Sequence, residues 1–156
     1  MAVARAILCV EDSEPDVALF RRALSKADLS VPVHFVSDGA EAVDYLSGTG
    51  AYSDRSKYAV PTLVLLDLKL PRKSGLEVLE WIRGEPSLEG ARVVVLTSSS
   101  EPGDIARAYA LGADLYLVKP VAFERLKELV RAIGAYWADP AEGPMPFLER
   151  FSTPRG

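Results

Sequence analysis

The sequence predicts a doubly wound α/β domain built on a parallel five-stranded sheet. Three observations carry this prediction: five short apolar runs recur along the chain, segments with apolar residues at helical spacing separate them, and the two kinds alternate strictly. Strict alternation, with each helical segment long enough to cross over a sheet, requires parallel strands covered on both faces.

The apolar runs are residues 6–10, 33–36, 63–66, 93–96 and 115–118, the last three rich in Val and Leu as doubly buried strands should be. After the first run, Ser13 and Asp16 signal a helix start, and Val17, Phe20 and Leu24 supply its buried stripe. Ala42, Val43 and Leu46 mark the second helix. Ser74 opens a third, with Leu76, Leu79 and Ile82 on one face. Glu101-Pro102 opens the fourth, which carries Ile105, Ala108 and Leu111 and stops at Gly112. Leu126, Val130, Ile133 and Trp137 define the fifth.

Two stretches stand outside the repeat. Residues 48–61 form a polar connection longer than most loops in a compact domain, so it is either functional or mobile. The last eighteen residues, 139–156, contain Pro140, Pro144, Pro146 and Pro154, which forbid a regular helix and leave too little chain for an output module. The expected organisation is one domain over residues 1–138 followed by a proline-containing tail.

Bulk properties narrow the function. The chain of 156 residues is 49% hydrophobic and 26% charged, with no apolar run long enough to span a bilayer and no secretory signal at its start, so the cytoplasm is the expected compartment. A net charge of -4 without a basic cluster makes nucleic acid an unsuitable partner. Cys9 lies within an apolar run and reads as a small buried hydrophobe.

Ligands of open parallel sheets bind at the carboxyl ends of the strands. Four of the five ends are polar here: Glu11-Asp12, Asp67, Thr97 and Lys119-Pro120. Taken singly, each has an ordinary reading as a helix cap, a loop acid, a core-edge hydroxyl or a solvated lysine. Together they describe one rim. Three carboxylates on a single rim repel one another unless a cation neutralises them, and hard oxygen ligands with open positions suit Mg²⁺. Lys119 and the Thr97 hydroxyl suit phosphate oxygens, and an aspartate can be the nucleophile in phosphoryl transfer.

These residues resemble a known family. The segments ILCVEDS (7–13), LVLLDLKLPRKSGLEVL (63–79), VVVLTSSS (93–100) and GADLYLVKP (112–120) are similar, in order and spacing, to the receiver domains of two-component response regulators, from Ile7 to about Trp137. The resemblance implies a flavodoxin-like sheet of order 2-1-3-4-5. It implies that Asp67 accepts a phosphoryl group from a phosphohistidine of a sensor histidine kinase, so that the chain is a signalling domain and not an enzyme in the usual sense. By the same resemblance Mg²⁺ is held by Asp12, Asp67 and the backbone carbonyl of Lys69, with Glu11 acting through water, and Lys119 pairs with the phosphate. The Lys119-Pro120 bond is expected to be cis. Thr97 and Tyr116 are expected to form the switch, Tyr116 turning inward to change the surface of the fourth helix, fifth strand and fifth helix. Lys69, two residues after the phosphoacceptor, lies where side chains influence phosphate lifetime.

A narrower likeness concerns the long 48–61 loop with Tyr52 and Tyr58, and the helix end Ala135-Tyr136-Trp137 before the tail. These features resemble the single-domain regulators of bacterial phytochromes. That likeness implies a light-sensing histidine kinase as partner, an unidentified downstream protein or phosphotransfer module, and a homodimer through the fourth and fifth helices with Tyr136 and Trp137 on the partner face. Phe147, Leu148 and Phe151 would then cover apolar surface on this or a neighbouring subunit. Rival readings fit less well. A haloacid-dehalogenase-like phosphatase needs a second aspartate where Lys69 stands, and a nucleotide or flavin module needs a Gly-rich loop where EDSEPD stands. A degenerate receiver would lack some of the five site positions, all of which are present.

Overall fold

The computed structural model describes residues 6–30, 32–138 and 148–154. Five strands alternate with five helices: β1 (Ile7–Val10), α1 (Glu14–Lys26), β2 (Val33–Val36), α2 (Gly39–Ser47), β3 (Leu63–Leu66), α3 (Gly75–Gly84), β4 (Arg92–Thr97), α4 (Pro102–Ala110), β5 (Leu115–Val118) and α5 (Phe123–Ala138). All pairings are parallel, in the order β2-β1-β3-β4-β5. The expected architecture is therefore the observed one.

Period-two alternation along the strands divides the core into two layers. Ile7, Cys9, Leu63, Leu65, Val94, Leu96, Leu115 and Leu117 face α1 and α5. Leu8, Val10, Val64, Leu66, Val93, Val95 and Tyr116 face α2, α3 and α4. β3 is buried along its whole length, and each such Val or Leu side chain contributes roughly 1.5–3 kcal/mol of burial.

Local chemistry fixes where helices begin. The Ser13 hydroxyl accepts from the Asp16 N–H at 3.3 Å, Asp38 accepts from the Glu41 N–H at 2.7 Å, and Ser74 and Glu77 cap one another reciprocally. Pro102 opens α4, where its missing N–H costs nothing.

The long connection after α2 is anchored, not loose. The Arg55 guanidinium donates to the carbonyls of Tyr45 and Leu46 at 2.8 Å each and of Tyr58 at 3.1 Å, capping the end of α2 and tying the connection to it. Tyr52 and Tyr58 pack edge-on, both lie against Tyr45, and the Tyr52 hydroxyl donates to Glu41 at 2.5 Å.

The end of the chain returns to the sheet. Leu148 is fully buried in the α1/α5 layer, and Phe151, in a single 3₁₀ turn over Glu149–Phe151, packs beneath the Arg125 guanidinium at 4.3 Å. Ser152 forms an antiparallel bridge with Leu117, and the Thr153 N–H donates to the Tyr116 carbonyl at 2.7 Å. The surface expected to be covered by Leu148 and Phe151 thus belongs to the same chain; Phe147 lies outside the described residues.

One expectation for α5 is corrected. Tyr136, expected on a partner face, is 4% exposed and packs into the α1/α5 layer of its own chain. Helical spacing places it on the stripe of Leu129, Val130 and Ile133, which the sheet buries, and Trp137 packs partly against the same layer.

Candidate functional site

The strand ends are held by an extension of the sheet's own hydrogen bonding. The Glu11 N–H donates to Val36 O at 3.0 Å, the Asp67 N–H to Val10 O at 3.1 Å, and the Lys119 N–H to Thr97 O at 2.7 Å. Glu11, Asp67 and Lys119 therefore each sit one step beyond a strand yet remain in register, while Thr97 ends β4 itself. Glu11, Asp67 and Thr97 are buried, whereas Asp12 and Lys69 are exposed.

Behind Asp67 the loop is tightly packed. A Cβ at Gly75 would lie 2.1 Å from the Asp67 carbonyl oxygen and 2.7 Å from Leu68 Cα, so glycine there lets α3 begin directly against the site. The Leu68 N–H donates to Asp67 Oδ1 at 2.7 Å and fixes that carboxylate's orientation.

Oxygens of Glu11, Asp12 and Asp67 lie within 4.8 Å of one another. Opposite them, Lys119 Nζ donates to Glu11 Oε1, to Asp67 Oδ2 at 2.9 Å and to Asp16 Oδ2 at 2.7 Å. The expected residues converge. Burial, followed by hydrogen bonding with Asp67, pushes the Glu11 carboxyl up to about 9. Burial would raise Asp67 as well, but hydrogen bonding with Glu11, the Thr97 hydroxyl dipole and Lys119 outweigh it and hold Asp67 below the usual carboxylate range. Burial disfavours the Lys119 ammonium, yet its acids win and raise its pKa. The pocket thus holds an ionised Asp67 and a charged lysine beside a Glu11 carboxyl whose pKa burial raises.

Glu11 Oε2 and Thr97 Oγ1 are buried with no hydrogen-bond partner. Buried polar atoms rarely stay unpaired. An orphaned carboxylate oxygen beside two more carboxylates fits a hard divalent cation.

Two expectations change in detail. Among the described residues no peptide bond is cis, so the Lys119-Pro120 bond is trans. The trans form is intrinsically favoured by about 0.5–1 kcal/mol. With the Lys119 N–H bonded to Thr97 O, Nζ reaches the acids without a cis turn. Tyr116 is already turned inward and wholly buried, its hydroxyl donating to Ser99 O at 2.8 Å.

Two residues at the site were not foreseen. Asp16 was read only as a helix-start acid, yet it occupies the third position of α1, from which a side chain points back over the helix N-terminus toward the strand ends. That position was the available signal. Ser99 donates to Asp104 at 2.6 Å and accepts from the Glu101 N–H at 3.3 Å, pinning the β4–α4 loop that Tyr116 contacts. No sequence signal distinguishes it from Ser98 or Ser100.

A sheet of this order, with acids ending β1 and β3 and a lysine ending β5, defines a flavodoxin-like domain whose charged groups gather on one rim. The chain belongs to the response regulator receiver domain family, whose model matches residues 7–131. It is 37% identical over 140 residues to a probable methanogenesis regulatory protein, FilR2, of Methanothrix harundinacea, covering 90% of this chain and 88% of that protein. Response regulator Rcp1 of Synechocystis is 35% identical over 135 residues, covering 86% of this chain and 90% of its own. A solved structure of the Mn²⁺-bound form of Rcp1 covers 87% of this chain and 96% of its own, with TM-score 0.75 at 34% identity. The bacteriophytochrome response regulator AtBRR is 46% identical, with TM-score 0.69 over 80% of this chain and 88% of its own. The family is one of signalling domains. Among the described residues, no helix is long and apolar enough to cross a membrane.

Proposed function

We propose that the chain is a phosphoryl-accepting switch in which Asp67 takes a phosphoryl group from a phosphohistidine of a sensor histidine kinase. The observation that carries this reading is the convergence of Asp67 with Glu11, Asp12 and Lys119 on one rim. An Asp67 carboxylate oxygen attacks phosphorus, the P–N bond breaks, and its electron pair returns to the imidazole. Asp67 is suited to attack because it is held ionised. Lys119 stabilises the equatorial oxygens as charge builds, and the unpaired Thr97 hydroxyl is free to donate to one of them.

Asp12, Asp67 and the Lys69 carbonyl would hold Mg²⁺, with Glu11 reached through water; the ion supplies charge neutralisation for the transferred group. The Mn²⁺-bound form of the relative Rcp1 supports a divalent ion of this kind. Similarity to AtBRR favours a phytochrome-type kinase as donor. Signalling then passes through Thr97 and Tyr116 to the surface of α4, β5 and α5, a route supported by the Tyr116 hydroxyl bond to Ser99, which links β5 to the β4–α4 loop.

The test is incubation with a small acyl-phosphate donor and Mg²⁺, read as mass gain on intact protein. One added phosphoryl group is expected, absent when the divalent ion is chelated and absent from Asp67→Asn. Labelling of Asp67→Asn at the parent's level would remove Asp67 from this role.

A further inference from the structure

The rim holds a fourth carboxylate that this reading leaves unused. Asp16 Oδ2 stands 2.7 Å from Lys119 Nζ, nearer than Asp67 Oδ2 at 2.9 Å. Resting on the phosphoacceptor reading, we propose that Asp16 is a positioning residue for phosphoryl transfer: it holds the Lys119 ammonium beside Asp67 and keeps it from moving in among the metal-ligating acids.

An ammonium group has three N–H donors, and Glu11, Asp16 and Asp67 take one each. The acceptors come from three elements, the ends of β1 and β3 and the first turn of α1. Lysine is a compact charge on a flexible stem, so its position is set by its anchors. Two of those anchors belong to the acid triad whose oxygens lie within 4.8 Å of one another; Asp16 does not. Were Glu11 and Asp67 its only partners, the ammonium would be drawn into the triad, where its charge competes with a divalent ion for the same oxygens. Asp16, although it neighbours Glu11, pulls from the α1 side of the group.

The surroundings leave that task to Asp16. A cavity of about 60 Å³ between α1, α5 and the sheet reaches both Asp16 and Lys119, and Val17, Phe20, Leu65 and Leu126 line its walls. These side chains offer no acceptor, and an apolar wall strengthens a neighbouring charge pair. Partial burial would raise the Asp16 carboxyl, but its bonds to Lys119 and Glu11 outweigh that and hold it below the usual carboxylate range.

The arrangement also suits the product. When Asp67 becomes an acyl phosphate, one of its oxygens enters the new O–P bond and the phosphate brings fresh acceptors. Lys119 then needs to redirect one donor to a phosphate oxygen, while its bonds to Glu11 and Asp16 hold Nζ in place. The site changes partner without rebuilding.

The test compares Asp16→Ala, Asp16→Asn and Asp16→Glu with the parent. Phosphorylation by an acyl-phosphate donor at saturating Mg²⁺ is followed by intact mass, Mg²⁺ affinity by calorimetry, and folding by thermal melts. Asp16→Ala and Asp16→Asn are expected to be phosphorylated about tenfold more slowly, the loss that follows from one charge-assisted hydrogen bond. They should bind Mg²⁺ several-fold more weakly and melt like the parent, and Asp16→Glu should recover most of the rate. Parent-like phosphorylation of Asp16→Ala would overturn the inference while leaving Asp67 in its role. Equal losses in all three variants with lowered melting would overturn it too, assigning Asp16 to folding. A parent that is not phosphorylated would sink the functional reading itself.

Discussion

Replacing Tyr109 by phenylalanine tests how firmly the end of the chain is fastened to β5. The Tyr109 hydroxyl accepts from the Tyr116 N–H at 3.0 Å and donates to Thr153 O at 2.8 Å, and the Tyr116 carbonyl in turn accepts from the Thr153 N–H. One oxygen therefore joins α4, β5 and the tail. Phenylalanine keeps the ring and leaves no cavity, so the cost is two hydrogen bonds at about 0.5–1.5 kcal/mol each, or about 2 kcal/mol in total. For a domain of this size each kcal/mol moves the melting temperature by roughly 2–4 °C, which gives a drop of about 4–8 °C. Calorimetry measures that drop. Amide hydrogen exchange should show faster exchange at Thr153 and Tyr116 than in the parent, with β1 and β3 amides least affected. A variant whose melt and exchange both superimpose on the parent's would refute the claim that this hydroxyl fastens the tail.

Two further outcomes are expected. Gly75→Ala forces a methyl group to within 2.1 Å of the Asp67 carbonyl oxygen, so α3 must shift; a loss of about 1–3 kcal/mol in urea unfolding is expected, with slower phosphorylation, and a parent-like variant would mean the loop is not tightly set. Burial, helped by the Glu11 charge, pushes the Cys9 thiol up to about 12, and the side chain is 6% exposed. A raised thiol pKa means less thiolate at any pH below it, so a thiol-alkylating reagent should label native protein negligibly at pH 8 and fully in denaturant, as read by mass; rapid native labelling would contradict the burial.

The fold was legible because its signal is local. Runs such as LVLL at 63–66 have one stable home, a strand covered on both faces, and the helix starts at Ser13 and Ser74 were visible as residue types. Most of the site was legible for a related reason: a parallel sheet brings its strand ends together whatever the intervening lengths, so Asp67 and Lys119 meet although fifty-two positions apart. What escaped depends on tertiary distance. Asp16 has a sufficient local explanation as an acid in a first turn, and nothing nearby in sequence announces its bond to Lys119. Arg55 makes the long connection firm through carbonyls of α2, a pairing that periodicity cannot express. Likeness to phytochrome regulators assigns Tyr136 to a partner face, yet the stripe from Leu129 onward carries it inward. The cis bond expected before Pro120 rests on the family resemblance alone, and the bond is trans.

The pairing of Ser152 and Thr153 with β5 also bears on how the molecules behave toward one another. A strand at the margin of a sheet offers a row of unsatisfied N–H and C=O groups, and an apolar LYLV segment in that place is a template on which another polypeptide could add. Here the chain occupies part of that template itself, and the Arg125 and Arg150 guanidinium groups over Phe151 set positive charge beside it. The same few residues that pair with β5 therefore cover part of the edge on which a foreign strand would begin to add.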